Sequence, residues 1–123
     1  MGCEQHRKYM LTIQHPVERG LGHETIRDIL ASLNAAYWCM ADEIATTGTP
    51  HTHLFIYRKG AIRVDTIRRK FPGCHFGICQ GSCAEARAYI KKEGNWSGTE
   101  TAETAVPGTF EEGGTMPTER EEG

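Results

Sequence analysis

The chain has 123 residues, enough for one domain with a modest core and too few for a catalytic domain plus a large second one. No apolar run approaches the ~20 residues of a membrane helix, and the opening MGCEQHRKYM lacks the apolar centre of a secretion signal, so a soluble intracellular protein is expected. The net charge of −2 is unevenly spread: residues 1–96 carry 13 Lys/Arg against nine Asp/Glu, hence +4, and residues 97–123 carry one against seven, hence −6.

KYMLTIQ, Lys8 to Gln14, alternates and reads as a strand, with Tyr9, Leu11 and Ile13 on one face and Met10, Thr12 and Gln14 on the other. Pro16 and Gly20 break it. HETIRDILASLN follows as a helix, because Ile26, Ile29, Leu30 and Leu33 fall on one apolar stripe. Ala36 to Ala45 is aromatic-rich and apolar, a second strand. TTGTP turns the chain, and His51 to Arg58 returns as a third strand, forming a hairpin with the second. Val64, Ile67 and Phe71 make a short helical stripe that stops at Pro72-Gly73. CHFGICQ is a short strand. SCAEARAYIKKEG is the clearest helix: Ser82 and Glu85 make a capping box, and Gly94 stands where a terminating glycine belongs.

Strand, helix, strand, strand, helix, strand, helix is the order expected of an α+β fold, an antiparallel sheet with helices mostly on one face. Residues 1–96 would form the folded domain. Residues 97–123, rich in Gly, Thr and Glu with almost no aliphatics, would form a flexible or loosely packed acidic tail.

The third strand carries the first chemical signal. Side chains at i and i+2 on a strand point the same way, with Cα atoms roughly 6.5–7 Å apart. His51 and His53 can therefore converge on one ion. They share a face with Phe55 and Tyr57, expected to be the more open face. Leu54 and Ile56 take the face covered by helices. A third ligand is sought across the hairpin at Asp42-Glu43. Only one of these can face the histidines; Glu43 is preferred and Asp42 is the fallback. A His₂-carboxylate set with open positions suits Mn²⁺, Mg²⁺ or Zn²⁺. Taken alone, an H-x-H pair is more often a pair of polar strand residues. The cysteines Cys74, Cys79 and Cys83, with His75, lack the paired spacing of common structural zinc sites and read as small thiols of the core.

The last helix carries the second signal. Cys83, Ala86 and Ile90 form its buried stripe, Tyr89 stands at the border of that stripe, and Lys92 lies about one turn on. An unshifted phenol, with a pKa of ~10, is a poor nucleophile at neutral pH. A nearby cation and a polarised phosphate would supply what it lacks. An isolated Y-x-x-K is usually just an amphipathic tyrosine beside a solvated lysine.

The three stretches in this order resemble the replication initiator (Rep) proteins of small circular single-stranded DNA viruses and their plasmid relatives, within the HUH endonucleases. YMLTIQHP matches the first motif, PHTHLFIY the hydrophobic-flanked H-x-H, and YIKK the Y-x-x-K. GTFEEGG resembles family sequence that follows the third motif. The likeness runs from about Lys8 to Gly94. The first motif keeps Leu11-Thr12, but its proline is displaced to Pro16.

The resemblance implies a ferredoxin- or RRM-like HUH nuclease fold with Glu43, His51 and His53 holding Mn²⁺ or Mg²⁺. It implies Tyr89 as nucleophile toward single-stranded origin DNA, with a 5′-phosphotyrosine intermediate and rejoining after rolling-circle replication. Lys92 would position the phosphate or stabilise charge. DNA contacts are expected at Lys8, Thr12, Gln14 and Lys91, with Tyr57 and Trp96 as stacking rings. The DNA would be an origin stem-loop. A helicase or an oligomer would be reached through a missing C-terminal region, since no G-x-x-x-x-G-K-[ST] stretch occurs. Localisation would be cytoplasmic for a bacterial plasmid protein, the branch the motifs favour slightly, and the host nucleus for a eukaryotic virus. The alternative is a non-catalytic RRM-like module that binds single-stranded nucleic acid on exposed strand aromatics. A His₂-carboxylate iron oxygenase ranks last, because it leaves Tyr89 and Lys92 without a role.

Overall fold

The alternating segment KYMLTIQ lies inside strand β1, Gln5–Gln14, in a computed structural model that describes residues 4–92 and 104–122. Helix α1, His23–Ser32, leads into β2, Tyr37–Ile44, and β3, Pro50–Arg63. Helix α2, Val64–Lys70, strand β4, His75–Ile78, and helix α3, Cys83–Lys91, complete the order expected from the sequence. Strand β5, Glu111–Gly114, and a short helical turn α4, Glu119–Glu122, come after it. The strands form one sheet in the order β4-β1-β3-β2-β5, with every pairing antiparallel. The fold is α+β, as the element order predicts.

Both faces of this sheet are covered. On one face, Tyr9, Leu11, Ile13, Met40, Leu54 and Ile56 pack with Ile26 and Leu30 of α1 and with Val64 and Ile67 of α2. Each large aliphatic side chain withdrawn from water there contributes about 1.5–3 kcal/mol. On the other face, Tyr37, Cys39, Phe55 and Tyr57 pack with Cys83, Ala86 and Ile90 of α3. Helices mostly on one face is thus right for two of the three long helices, and α3 takes the opposite side. The cause is visible in β3, where Leu54, Phe55, Ile56 and Tyr57 are all buried. A continuous apolar run in a strand needs a cover on each side. The histidine face is therefore not the open one; α3 roofs its Phe55–Tyr57 end and leaves His51 and His53 at the edge of the roof.

The capping box of α3 forms as expected. The Glu85 N–H donates to Ser82 Oγ at 3.0 Å, and the Ser82 N–H donates to Glu85 Oε1 at 3.3 Å. At the other end the left-handed residue is Lys92, with φ 61°. Gly94 lies outside the described residues.

The tail departs from expectation. Within residues 104–122, β5 hydrogen-bonds to the free edge of β2, with Cys39 opposite Glu112 and Tyr37 opposite Gly114. Main-chain pairing to an edge strand needs no aliphatic side chains, which is why composition misjudges this segment. The glycines are sterically required. Gly114 has φ 80°, and a Cβ there would lie 2.1 Å from the Ala36 carbonyl oxygen. The acidic residues find cations, Glu111 on Arg27 and Glu112 on Arg87.

Candidate active site

The hairpin register builds the centre. Glu43 pairs with His51, and Ala41 pairs with His53, so Glu43 faces both imidazoles from the neighbouring strand. The fallback ligand, Asp42, points to the opposite face. There its Oδ1 accepts from Thr52 Oγ1 at 2.7 Å and lies 2.7 Å from His23 Nε2. The period-2 choice of Glu43 over Asp42 therefore follows the backbone.

One ligand atom from each of Glu43, His51 and His53 lies within 4.8 Å of the others, and this is the group of that kind among the described residues. His51 Nε2 is 3.8 Å from Glu43 Oε1, and His53 Nε2 is 3.6 Å from Glu43 Oε2. Those separations exceed good hydrogen bonds. They are close to the roughly 3–3.5 Å that two ligands keep when each binds one ion at about 2.0–2.2 Å. His53 Nδ1 is buried and has no hydrogen-bond partner among the described residues. Burial first, and then His51 and Lys92, push the His53 imidazole down to about 4 against the pull of Glu43. His53 is thus neutral at neutral pH, the form that can ligate. The residues fit a divalent cation by donor type, spacing and protonation. Cys39, Cys74, Cys79 and Cys83 are free thiols.

Lys92 reaches the same carboxylate. Its Nζ is 2.7 Å from Glu43 Oε2, an ion pair whose angles fall outside hydrogen-bond geometry, and each side chain is only 4% exposed. Burial pushes the Glu43 carboxyl up, but Lys92, His53 and the Thr104 hydroxyl outweigh burial and hold it below the ordinary range. Thr104 Oγ1 donates to Glu43 Oε1 at 3.1 Å. Lys92 Nζ also sits 4.2 Å above the Tyr89 ring. That ring lies 5.7 Å, centroid to centroid, from the His53 ring. Helix α3 therefore brings Tyr89 to the histidines, and Lys92 at its C-terminal end reaches Glu43. Burial and the Glu43 charge push the Tyr89 phenol up, away from ready ionisation.

The family model for viral replication proteins matches residues 6–93. This chain belongs to the viral replication protein family. The matched span holds Glu43, His51, His53, Tyr89 and Lys92. A curated relative, Para-Rep C2 of Subterranean clover stunt C2 alphasatellite, is 32% identical over 88 residues; the match covers 71% of this chain and 31% of that protein. The chain spans less than a third of the relative it matches.

The remaining site residues of this family member divide by position. Along β1, Lys8, Thr12 and Gln14 pair with Tyr57, His53 and His51, so all three lie on the histidine face. Lys8 Nζ is held by the Gly81 carbonyl at 3.0 Å and by Glu122 at 2.8 Å. Lys91 is exposed, with Nζ 5.4 Å from the centre of the Phe110 ring. Tyr57 corrects the expectation: it is fully buried beneath α3, and its hydroxyl accepts from Arg7 at 2.9 Å. A ring packed on both faces has none to offer a base. Trp96 lies outside the described residues. Sequence reasoning missed Arg7, Thr104 and Glu122. Thr104 is 61 residues from Glu43, and no local pattern joins them.

Proposed function

We propose that this chain is the nicking and joining unit of a replication initiator that acts on single-stranded origin DNA. Glu43, His51 and His53 would hold Mn²⁺ or Mg²⁺, which when bound would polarise the scissile phosphate. Tyr89 attacks the phosphorus. The Tyr89 Oη–P bond forms as the P–O3′ bond breaks, the phenol gives up its proton, and the 3′ oxygen gains one. The result is a 5′-phosphotyrosine and a free 3′-hydroxyl. Attack by a 3′-hydroxyl on that phosphotyrosine reverses the step and joins ends. Lys92 anchors the carboxylate and lies against the ring of the nucleophile, so it can hold both in register and meet phosphate charge.

The observation that carries this reading is the meeting of the Glu43, His51 and His53 cluster with the Tyr89 ring, 5.7 Å from His53. A non-catalytic RRM-like module would need open aromatic platforms, and Phe55 and Tyr57 are fully buried. The test is a denaturing gel after incubation with a pool of single-stranded origin DNA and Mn²⁺. The wild-type chain should give a shifted, covalent band. Tyr89→Phe should lose the band and keep near-normal DNA binding. An adduct that survives Tyr89→Phe rules out the assigned nucleophile. Recruitment of a helicase and assembly into an oligomer belong to the same proposal, through sequence beyond this segment.

A further inference from the structure

The opposite end of α3 carries a second cluster that the nicking chemistry does not use. Glu122 Oε1 accepts from the Cys83 backbone N–H at 2.7 Å, at the first turn of α3, and lies 2.8 Å from Lys8 Nζ. A carboxylate oxygen on a helix N-terminus and an ammonium occupies the place of an anion. Beside it, Arg7 donates to the carbonyls of Glu121 and Glu122 at 3.0 and 3.2 Å. Its Nε is buried and has no partner among the described residues. Arg7 therefore keeps one buried donor that Glu122 does not satisfy. A cavity of about 390 Å³ opens here, lined by Arg7, Lys8, Cys79 and Glu122 among others.

The occupant is held by polar contacts. α4 adds no residue to either apolar cluster, although the Glu122 side chain itself is only 8% exposed. Among the described residues, besides the Arg7 bonds and the contacts of Glu122 with Lys8, the Cys83 N–H and the Cys83 thiol, the turn meets the domain in an exposed pair, Lys59 to Glu121 at 3.6 Å. Attachments of this kind are polar, compete with water and weaken in salt. Burial opposes ionisation of Glu122, but Lys8 and the Cys83 N–H keep its carboxyl below the ordinary range, so it sits there as an anion. Lys8 shares a strand face with Thr12 and Gln14, which pair with His53 and His51. Four strand residues separate Lys8 from Thr12 by roughly 13 Å. A single strand lying at the histidines spans that distance well within the about 4–16 nucleotides such surfaces cover.

We propose that Arg7, Lys8 and the N-terminus of α3 form a phosphate subsite on the single-stranded DNA path, and that Glu122 fills it as an internal carboxylate until a DNA phosphodiester displaces it. The acidic C-terminal turn thereby restrains DNA binding. Only the identity of the strand rests on the replication reading; the pocket and its occupant do not.

The experiment is fluorescence anisotropy of the full chain with a labelled oligodeoxynucleotide in chelator, where no cleavage enters. Glu122→Gln should bind about three- to tenfold more tightly than wild type. Glu119→Gln removes the same charge from the exposed side of the same turn and should change affinity less than about twofold. Adding Lys8→Gln to Glu122→Gln should abolish the gain. Equal effects of the two glutamate variants, no gain in Glu122→Gln, or a gain that survives loss of Lys8 would each overturn the subsite. A separate arm adds inorganic phosphate and reads thermal stability. Stabilisation of Glu122→Gln by phosphate without tighter DNA binding would place a free anion there and overturn the DNA path. Loss of the Tyr89 adduct reading would leave all these binding outcomes readable.

Discussion

The contact between Lys92 and Glu43 offers the sharpest physical test, because it couples two buried charges at the candidate centre. At 2.7 Å and an effective dielectric constant of about 20, their attraction is about 6 kcal/mol, most of it offset by loss of hydration. Removing one partner leaves the other charge in a dry site. Glu43→Leu and Lys92→Met should each cost about 3–5 kcal/mol. Against a typical total of about 5–15 kcal/mol, that should lower Tm by about 10–20 °C. The double variant replaces both charges by apolar groups and should recover at least half of the summed loss. Denaturant and thermal unfolding of the four chains, without metal, measure this cycle. Added Mn²⁺ should then raise the stability of Lys92→Met, where the carboxylate lacks its ammonium, and leave Glu43→Leu unmoved. If the single losses simply add in the double variant, the two side chains do not form a buried pair and the account of Lys92 fails.

Two further outcomes follow from the same coordinates. His23 joins α1 to both Asp42 of β2 and Glu111 of β5; burial lowers its proton affinity, but the two carboxylates prevail and raise it above the ordinary 6.5. Its contribution is therefore complete below about pH 6.5 and is lost as pH rises through the raised folded value, so the stability gap between wild type and His23→Gln should be wider at about pH 5.5 than at about pH 9, and an equal or inverted gap would contradict the clamp. Tyr57→Phe should cost only about 0.5–1.5 kcal/mol, for the bond from Arg7, and leave single-stranded DNA affinity unchanged within about twofold; a large loss of affinity would show that the ring meets DNA after all.

Much of the site was legible because strands and helices repeat over short distances. A period of two put His51 and His53 on one side and separated Glu43 from Asp42. A period of 3.6 put Cys83, Ala86 and Ile90 inward and left Tyr89 at the margin. The capping box placed the start of α3. The same reasoning failed where a residue is chosen by something distant. Tyr57 shares the histidine face and a DNA-facing position was inferred for it, yet α3 packs over it. The tail reads as flexible or loosely packed because it has almost no aliphatic residues, yet its backbone completes an edge of the sheet.

The amino-acid order by itself determined which atoms could ligate and which face each side chain takes within its own element. Those properties depend on chemistry and on repeats spanning a few residues. Only the tertiary structure decided that α3 crosses to the histidine face, that Lys92 reaches Glu43, and that Thr104 and Glu122 reach over from the far end of the chain. Each of these joins elements whose separation in sequence carries no periodic signal. They are set by the need to cover both faces of the sheet and to give buried charges partners, and that need is met only when the whole chain is assembled.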